Sequence, residues 1–149
     1  MKKIPNFKLK LTDGSIFKSL ETNNMILFFY PKALTPGCTI EVNEFQKDLK
    51  KFQKLNFDII GVSKDTVKRN TQFLEKYKLK YNLGSDESNA CEKLGIWIEK
   101  SMYGKKYFGI DRSTYIIGKK GIILKEWHKV KVDGHVKEVL EEVKNIAKF

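Results

Sequence analysis

Apolar and polar residues alternate with period two over Phe7-Lys8-Leu9-Lys10-Leu11, and Asp13-Gly14 follows as a turn signal. Ser15-Ile16-Phe17 completes a predicted N-terminal β-hairpin. Met25-Ile26-Leu27-Phe28-Phe29-Tyr30 replaces alternation with a continuous apolar run, the pattern of a strand buried on both faces. The period then changes. Val42, Phe45, Leu49 and Phe52 recur at helical spacing, with Lys47, Lys50, Lys51 and Lys54 mostly on other faces. Asp58-Ile59-Ile60-Gly61-Val62 reads as a second buried strand, and Asp65 is expected to cap a helix carrying Val67, Leu74 and Tyr77. A short element near Leu83 leads to Ser88, the expected cap of a helix from Asn89 to Leu94. Thr114-Tyr115-Ile116-Ile117 and Ile122-Ile123-Leu124 flank Lys119-Lys120-Gly121 as an antiparallel hairpin. A last helix starts near Asp133, with Val136, Val139, Leu140, Val143 and Ile146 as its apolar stripe.

Alternating strands and helices early, with an antiparallel pair late, predict an α/β protein built on a mixed sheet with helices on both faces. No repeat, linker or shift of composition divides the chain, so residues 1–149 are expected to form a single domain. At 41% apolar content a chain of this length buries a core without staples. No apolar run reaches the ~18 residues that would span a bilayer, so no membrane partner is expected. Met1-Lys2-Lys3 is a basic start with no apolar stretch behind it, which speaks against a cleaved signal. Two cysteines make no disulfide scaffold and, with two histidines, no zinc spacing. The expected location is the cytoplasm, where a notable cysteine is reactive rather than structural. The net charge of +11 comes almost wholly from lysine, since Arg69 and Arg112 are the only arginines. These lysines are spread along the chain among Glu and Asp, the pattern of solvated faces, so no nucleic acid is expected as partner.

In open α/β sheets function collects at the carboxyl ends of strands. The run ending at Tyr30 empties into Pro31-Lys32-Ala33-Leu34-Thr35-Pro36-Gly37-Cys38-Thr39. If Pro36 is the first helical residue, Thr35 is the N-cap and Cys38 the third helical residue. Free N–H groups and the positive helix end there favour a sulfur anion. That contribution is roughly 0.3–1 kcal/mol, so a strongly favoured thiolate calls for a fixed cation, best an arginine, within ~4–6 Å. Cys91 reaches a comparable helix start if Ser88 caps, but Asp86, Glu87 and Glu92 flank it and disfavour its anion. A packed, inert thiol is the expected state of Cys91. Thr35 occupies the position where a Cys-x-x-Cys motif has its first cysteine, so an internal thioredoxin-type disulfide at this turn is impossible. His128 and His135 show no evident orienting partner, which disfavours papain-like catalysis. Arg69, in a lysine-rich helix, is expected to face solvent.

Pro31-x-x-x-Thr35-x-x-Cys38 resembles the peroxiredoxin active-site motif, and the string Phe29 to Thr39 is similar to the bacterioferritin-comigratory (Q-type) subfamily. Ser85-Asp86-Glu87, Gly95-Ile96-Trp97, Tyr103-Gly104-Lys105 and Gly109 to Tyr115 extend the resemblance over nearly the whole chain. It implies a thioredoxin-like fold and a thiol-dependent peroxidase that reduces hydrogen peroxide and organic hydroperoxides through a sulfenic acid on Cys38. It further implies that Thr35 holds the peroxide, that Pro31 shields the pocket, and that Arg112 supplies the cation. No cofactor or metal is expected. Many members carry a resolving cysteine five residues after the reactive one, where this chain has Asn43. Resolution then falls to Cys91, to a second subunit, or to an external thiol, the favoured route. Thioredoxin, glutaredoxin or a small thiol would donate the electrons to a monomer or weak dimer. A thiol-disulfide oxidoreductase, or a basic binding or chaperone module on the same fold, are the rival readings.

Overall fold

A computed structural model describes residues 2–148; Met1 and Phe149, the two ends of the expected domain, lie outside the described residues. The N-terminal hairpin is present as β1 (Lys8–Leu11) and β2 (Ile16–Lys18), and the apolar run forms β3 (Met25–Phe29). Helix α1 (Pro36–Lys54), strand β4 (Asp58–Ser63), helix α2 (Val67–Lys76) and strand β5 (Asn82–Ser85) follow. Then come the short α3 (Ala90–Lys93), strands β6 (Trp97–Met102), β7 (Lys105–Ile110), β8 (Ser113–Ile117) and β9 (Ile123–Trp127), and helix α4 (His135–Ala147). Seven strands share one sheet in the order β2-β1-β5-β4-β3-β8-β9. The pairs β3–β4 and β4–β5 are parallel and the others antiparallel, so the sheet is mixed.

β3 lies near the middle of this sheet, and residues 26–30 are fully buried. Its pleat sends Ile26 and Phe28 to one face and Leu27 and Phe29 to the other. The first face is covered by the long helices. Val42, Phe45, Leu49 and Phe52 of α1, Phe73 of α2, and Val136, Val139, Leu140 and Val143 of α4 pack there, with the Phe28 and Phe45 rings stacked 4.4 Å apart. The second face is covered by Ile4, Phe7, Leu9 and Phe17 from the N-terminal segment and by Ala90 and Cys91 of α3. Helices do flank both faces, but unequally: the three long ones share one side. The alternating hairpin supplies the apolar surface that a second long helix would otherwise have to bring.

Two local expectations give way, and one element appears that the pattern did not predict. Thr66, not Asp65, caps α2, its hydroxyl oxygen accepting the Arg69 N–H at 3.1 Å. Asp65 is held by other donors. Ser88 does not cap α3, which begins at Ala90 after Asn89 in the left-handed region (φ 60°), so Cys91 is its second residue rather than its third. The Asp86 carboxylate instead accepts the Ala90 and Cys91 N–H groups at 2.8 and 3.0 Å. Finally, residues 97–110 form an antiparallel hairpin of its own, turned at Tyr103 and Gly104, both with positive φ (52° and 77°). That two-residue turn matches strand twist, and Tyr-Gly is a weaker signal for it than Asn-Gly. The strands it joins are mostly exposed and lysine-rich, so no buried face imposed a readable alternation.

Candidate active site

The site grows from the start of α1. Pro36 takes the first helical position, where a missing N–H costs nothing, and Thr35 before it is extended (φ −95°, ψ 155°). The first intrahelical bond runs from the Thr39 N–H to the Thr35 carbonyl at 2.9 Å. The Gly37 and Cys38 N–H groups therefore precede the helical ladder, and they lie beside the third helical residue, Cys38. Thr35 makes no side-chain cap; its hydroxyl donates to the Lys32 carbonyl at 2.7 Å, which folds the loop on itself.

Cys38 is 1% exposed, and a cation from far along the chain reaches it. Arg112 leaves the loop between β7 and β8, and its Nη2 donates to the Cys38 Sγ at 3.3 Å. Its Nη1 donates to Glu41 Oε1 at 2.6 Å. One guanidinium fork thus bridges the sulfur and a carboxylate one helical turn further on, using two of its five donors in fixed directions. The guanidinium packs close over the helix start: a Cβ on Gly37 would meet Arg112 Nη2 at 3.4 Å, an ordinary contact.

Glu41 was not singled out from the sequence, although a signal existed. It sits on the apolar stripe of α1 beside Cys38 and Val42, where a charge needs a partner. It is fully buried, its Oε2 has no hydrogen-bond donor, and burial outweighs Arg112 to push its carboxyl up to about 7.

A second pair fixes the loop. Asp65 Oδ2 accepts the Ala33 N–H at 2.7 Å, and Arg69 reaches the Ala33 carbonyl at 3.4 Å while pairing with Asp65 at 3.5 Å. Arg69 is therefore part of the loop's support, correcting the expectation that it simply faces solvent. The histidines also have partners. His128 bonds Ser113 Oγ at 3.0 Å and Glu126 at 2.7 Å, and His135 bonds Thr114 Oγ1 at 2.7 Å. None of these partners is Cys38. Ser113 and Thr114 directly follow Arg112 in the chain, so both histidines brace the strand that presents it.

Pro31, Thr35, Cys38 and Arg112 line one cavity of about 590 Å³, roofed by Trp97, Tyr107 and Phe108 of the β6–β7 hairpin. Cys91 is elsewhere. It is buried in the core of the opposite sheet face, and burial, followed by the Asp86 carboxylate, raises its thiol well above the ordinary range. Both cysteines are free thiols. Among the described residues, no three His, Cys, Asp or Glu side chains gather to hold a metal ion, and no helix is long and apolar enough to cross a membrane.

Two buried titratable groups give opposing stability slopes. Glu41 keeps its proton to about 7 in the folded chain but releases it near 4.5 when unfolded, so its ionisation lowers stability as pH rises through that window. His135 is pushed down to about 4, mainly by burial, whereas the unfolded side chain takes a proton near 6.5; stability is lost as pH falls through that interval. Each amounts to a few kcal/mol, and between pH 4.5 and 6.5 they nearly cancel. Urea unfolding should show Glu41→Gln gaining stability with rising pH there and His135→Asn losing it. Parallel slopes in the two variants would refute this assignment.

A buried helix-start thiol facing an arginine at the end of a mixed α/β sheet defines the thiol-dependent peroxidase class of the thioredoxin-like fold. Comparison with known proteins agrees. Residues 1–126 match the AhpC/TSA family, and the chain belongs to it. It is 43% identical to a putative peroxiredoxin bcp of Coxiella burnetii over 93% of each chain. To peroxiredoxin Bcp of Bacillus subtilis it is 40% identical, covering 97% of this chain and 94% of that one. Among solved structures, Xanthomonas campestris peroxiredoxin Q superposes with a TM-score of 0.87 at 37% identity, covering 95% of this chain and 91% of that one. A cysteine-to-serine mutant of Xylella fastidiosa PrxQ superposes with a TM-score of 0.88 at 33% identity, covering 99% and 98%. The fold is thioredoxin-like and the enzyme a thiol-dependent peroxidase, as the resemblance implied.

Proposed function

We propose that the chain, acting as a single domain and as a monomer or weak dimer in the cytoplasm, reduces hydrogen peroxide and organic hydroperoxides at Cys38. The observation that carries this reading is the Arg112 Nη2–H pointing at the Cys38 sulfur from 3.3 Å at the start of α1. The thiolate attacks the hydroxyl oxygen of the peroxide, the O–O bond breaks, and Cys38 becomes a sulfenic acid while water or alcohol leaves. Negative charge passes from sulfur to the departing oxygen. Arg112 and the Gly37 and Cys38 N–H groups donate to it as it moves. Such preorganised donors act where charge develops and need no rearrangement. Pro31 walls the pocket against water, and the lone pairs of Thr35 Oγ1, whose proton goes to Lys32, accept from the peroxide O–H.

Thr35→Val, which keeps shape but removes that acceptor, is expected to slow peroxide reduction roughly 10²–10³-fold by analogy with lost active-site hydrogen bonds, while Thr35→Ser retains most of the rate. Stopped-flow second-order constants decide this, and equal constants for Val and Ser would remove the role.

The same reading gives the sulfenic acid to an external thiol. Cys38 and Cys91 belong to cores on opposite faces of the sheet, so a bond between them needs local unfolding of one or both helix starts. Reduced protein treated with one equivalent of peroxide and analysed by peptide mass without reductant tests the whole scheme. An oxygen adduct on Cys38 is the expected product. A 38–91 disulfide or a cross-linked dimer would transfer resolution to the other routes, and an unmodified Cys38 would sink the proposed chemistry.

A further inference from the structure

The cavity over Cys38 is far larger than hydrogen peroxide, and its lining carries four cations against one carboxylate. At about 590 Å³ it falls in the range that encloses a small organic ligand. Its charged lining is Lys32, Lys64, Lys100 and Arg112 against the single carboxylate of Asp65. Most of these charges already have partners. Arg112 pairs with Glu41, Asp65 with Arg69, and Lys64 with Asp86 and Glu92 at 3.3 and 2.8 Å. Lys32 and Lys100 are in no ion pair among the described residues. Lys100 is half-buried in the roof, its Nζ donating to the Ile110 carbonyl at 2.6 Å. Burial there lowers its proton affinity, while the Asp111 and Cys38 charges nearby raise it and Arg112 lowers it. An anion entering the cavity would complete both lysines.

The geometry points to a low-molecular-weight, carboxylate-bearing thiol as the reductant that resolves Cys38, an inference that rests on the peroxidase reading above. Access bears on the size. Cys38 lines the cavity but is only 1% exposed, so a thiol small enough to sit inside the cavity needs less opening of the helix start than a thiol on another protein's surface. Charge decides the class. The attacking species is itself a thiolate, so Lys32 and Lys100 concentrate the reacting form, and a carboxylate on the same molecule doubles that attraction. Trp97, Tyr107 and Phe108 offer apolar contact to its carbon skeleton. In the step, the incoming thiolate sulfur bonds to the Cys38 sulfur as the S–O bond breaks, and the hydroxide leaves as water with a proton from solvent, the one the thiol released on ionising. A second equivalent of the thiol then attacks the mixed disulfide, restoring Cys38 and releasing the small disulfide. Two thiols are oxidised by two electrons in total and the sulfenic sulfur is reduced by two.

The test separates the two half-reactions. The protein is oxidised with one equivalent of hydrogen peroxide, and an oxygen adduct on Cys38 is verified by mass; if none forms, it is the peroxidase reading that fails. The adduct is then mixed with 3-mercaptopropionate, 2-mercaptoethanol or cysteamine, and mixed-disulfide formation is compared per thiolate. The anionic thiol should outrun the cationic one at least roughly tenfold at low ionic strength, with most of the difference gone at about 0.5 M salt. Lys32→Glu and Lys100→Gln should each compress that ratio, and two variants guard against a folding defect in either. Rates independent of thiol charge would overturn the inference. So would charge dependence seen only when neutral and carboxylated hydroperoxides are compared in the first half-reaction, or a thioredoxin outrunning the anionic thiol at equal concentration.

Discussion

Cys38→Ser is expected to abolish peroxide consumption, while Cys91→Ser leaves the single-turnover rate within about twofold, the usual scale for a conservative change remote from the reacting atoms. The asymmetry is physical rather than a matter of sequence position, since both thiols lie at helix starts and both are buried. Cys38 has a guanidinium 3.3 Å away and unladdered N–H groups in its first turn. Cys91 faces the Asp86 carboxylate, which already accepts the first N–H groups of α3 and so cancels the helix-end field. A hydroxyl in place of the Cys38 sulfur can neither ionise at neutral pH nor form a sulfenic acid. Rapid-mixing kinetics with stoichiometric peroxide measures both variants. Full activity in Cys38→Ser, or its loss in Cys91→Ser, would exchange the roles of the two thiols.

Arg112→Ala should slow the same step by roughly 10²–10³-fold, the scale of about 2.7–4 kcal/mol for an aimed active-site donor. Alanine also strands Glu41, and an uncompensated buried charge commonly costs ~3–5 kcal/mol unless it takes a proton. A slow variant could therefore be slow because it is poorly folded. The double variant Arg112→Ala/Glu41→Gln separates the two effects: stability recovers because no charge is left buried, and the rate stays low because nothing faces the sulfur. Arg112→Lys should fall between wild type and alanine, since a single ammonium cannot reproduce a fork that spans Sγ and Oε1. A double variant with a near-native second-order rate would show that Arg112 acts only on stability.

Where local physics is strong, the chain is legible. The apolar run to Tyr30, the stripe of α1 and the stripe of α4 became a central strand and two helices because burial on that scale leaves one register. The placement of Cys38 third in its helix followed from Pro36, whose ring admits few other positions. Caps were read less well. Asp65 and Ser88 are plausible caps by residue type, but Asp65 is engaged by Ala33 and Ser63, and the Ser88 hydroxyl donates to the Lys8 carbonyl. Other partners, a distant carbonyl for Ser88 and a distant N–H for Asp65 among them, outcompeted the local helix N–H groups. The β6–β7 hairpin escaped because its strands are exposed or half-buried at every position but Ile110, so no buried face set a period.

By itself, then, the amino-acid order determined that a thiol follows a buried strand at a proline-started helix, because these are effects within one short stretch of the chain. It could not determine what surrounds that thiol. Arg112 comes from the far side of β7, Glu41 becomes its anchor only when α1 packs against the sheet, and Lys100 enters the cavity only when the β6–β7 hairpin folds over it. Coulomb attraction falls with distance in space and is blind to separation along the chain, so the charges that tune the sulfur exist as a group only in the folded protein.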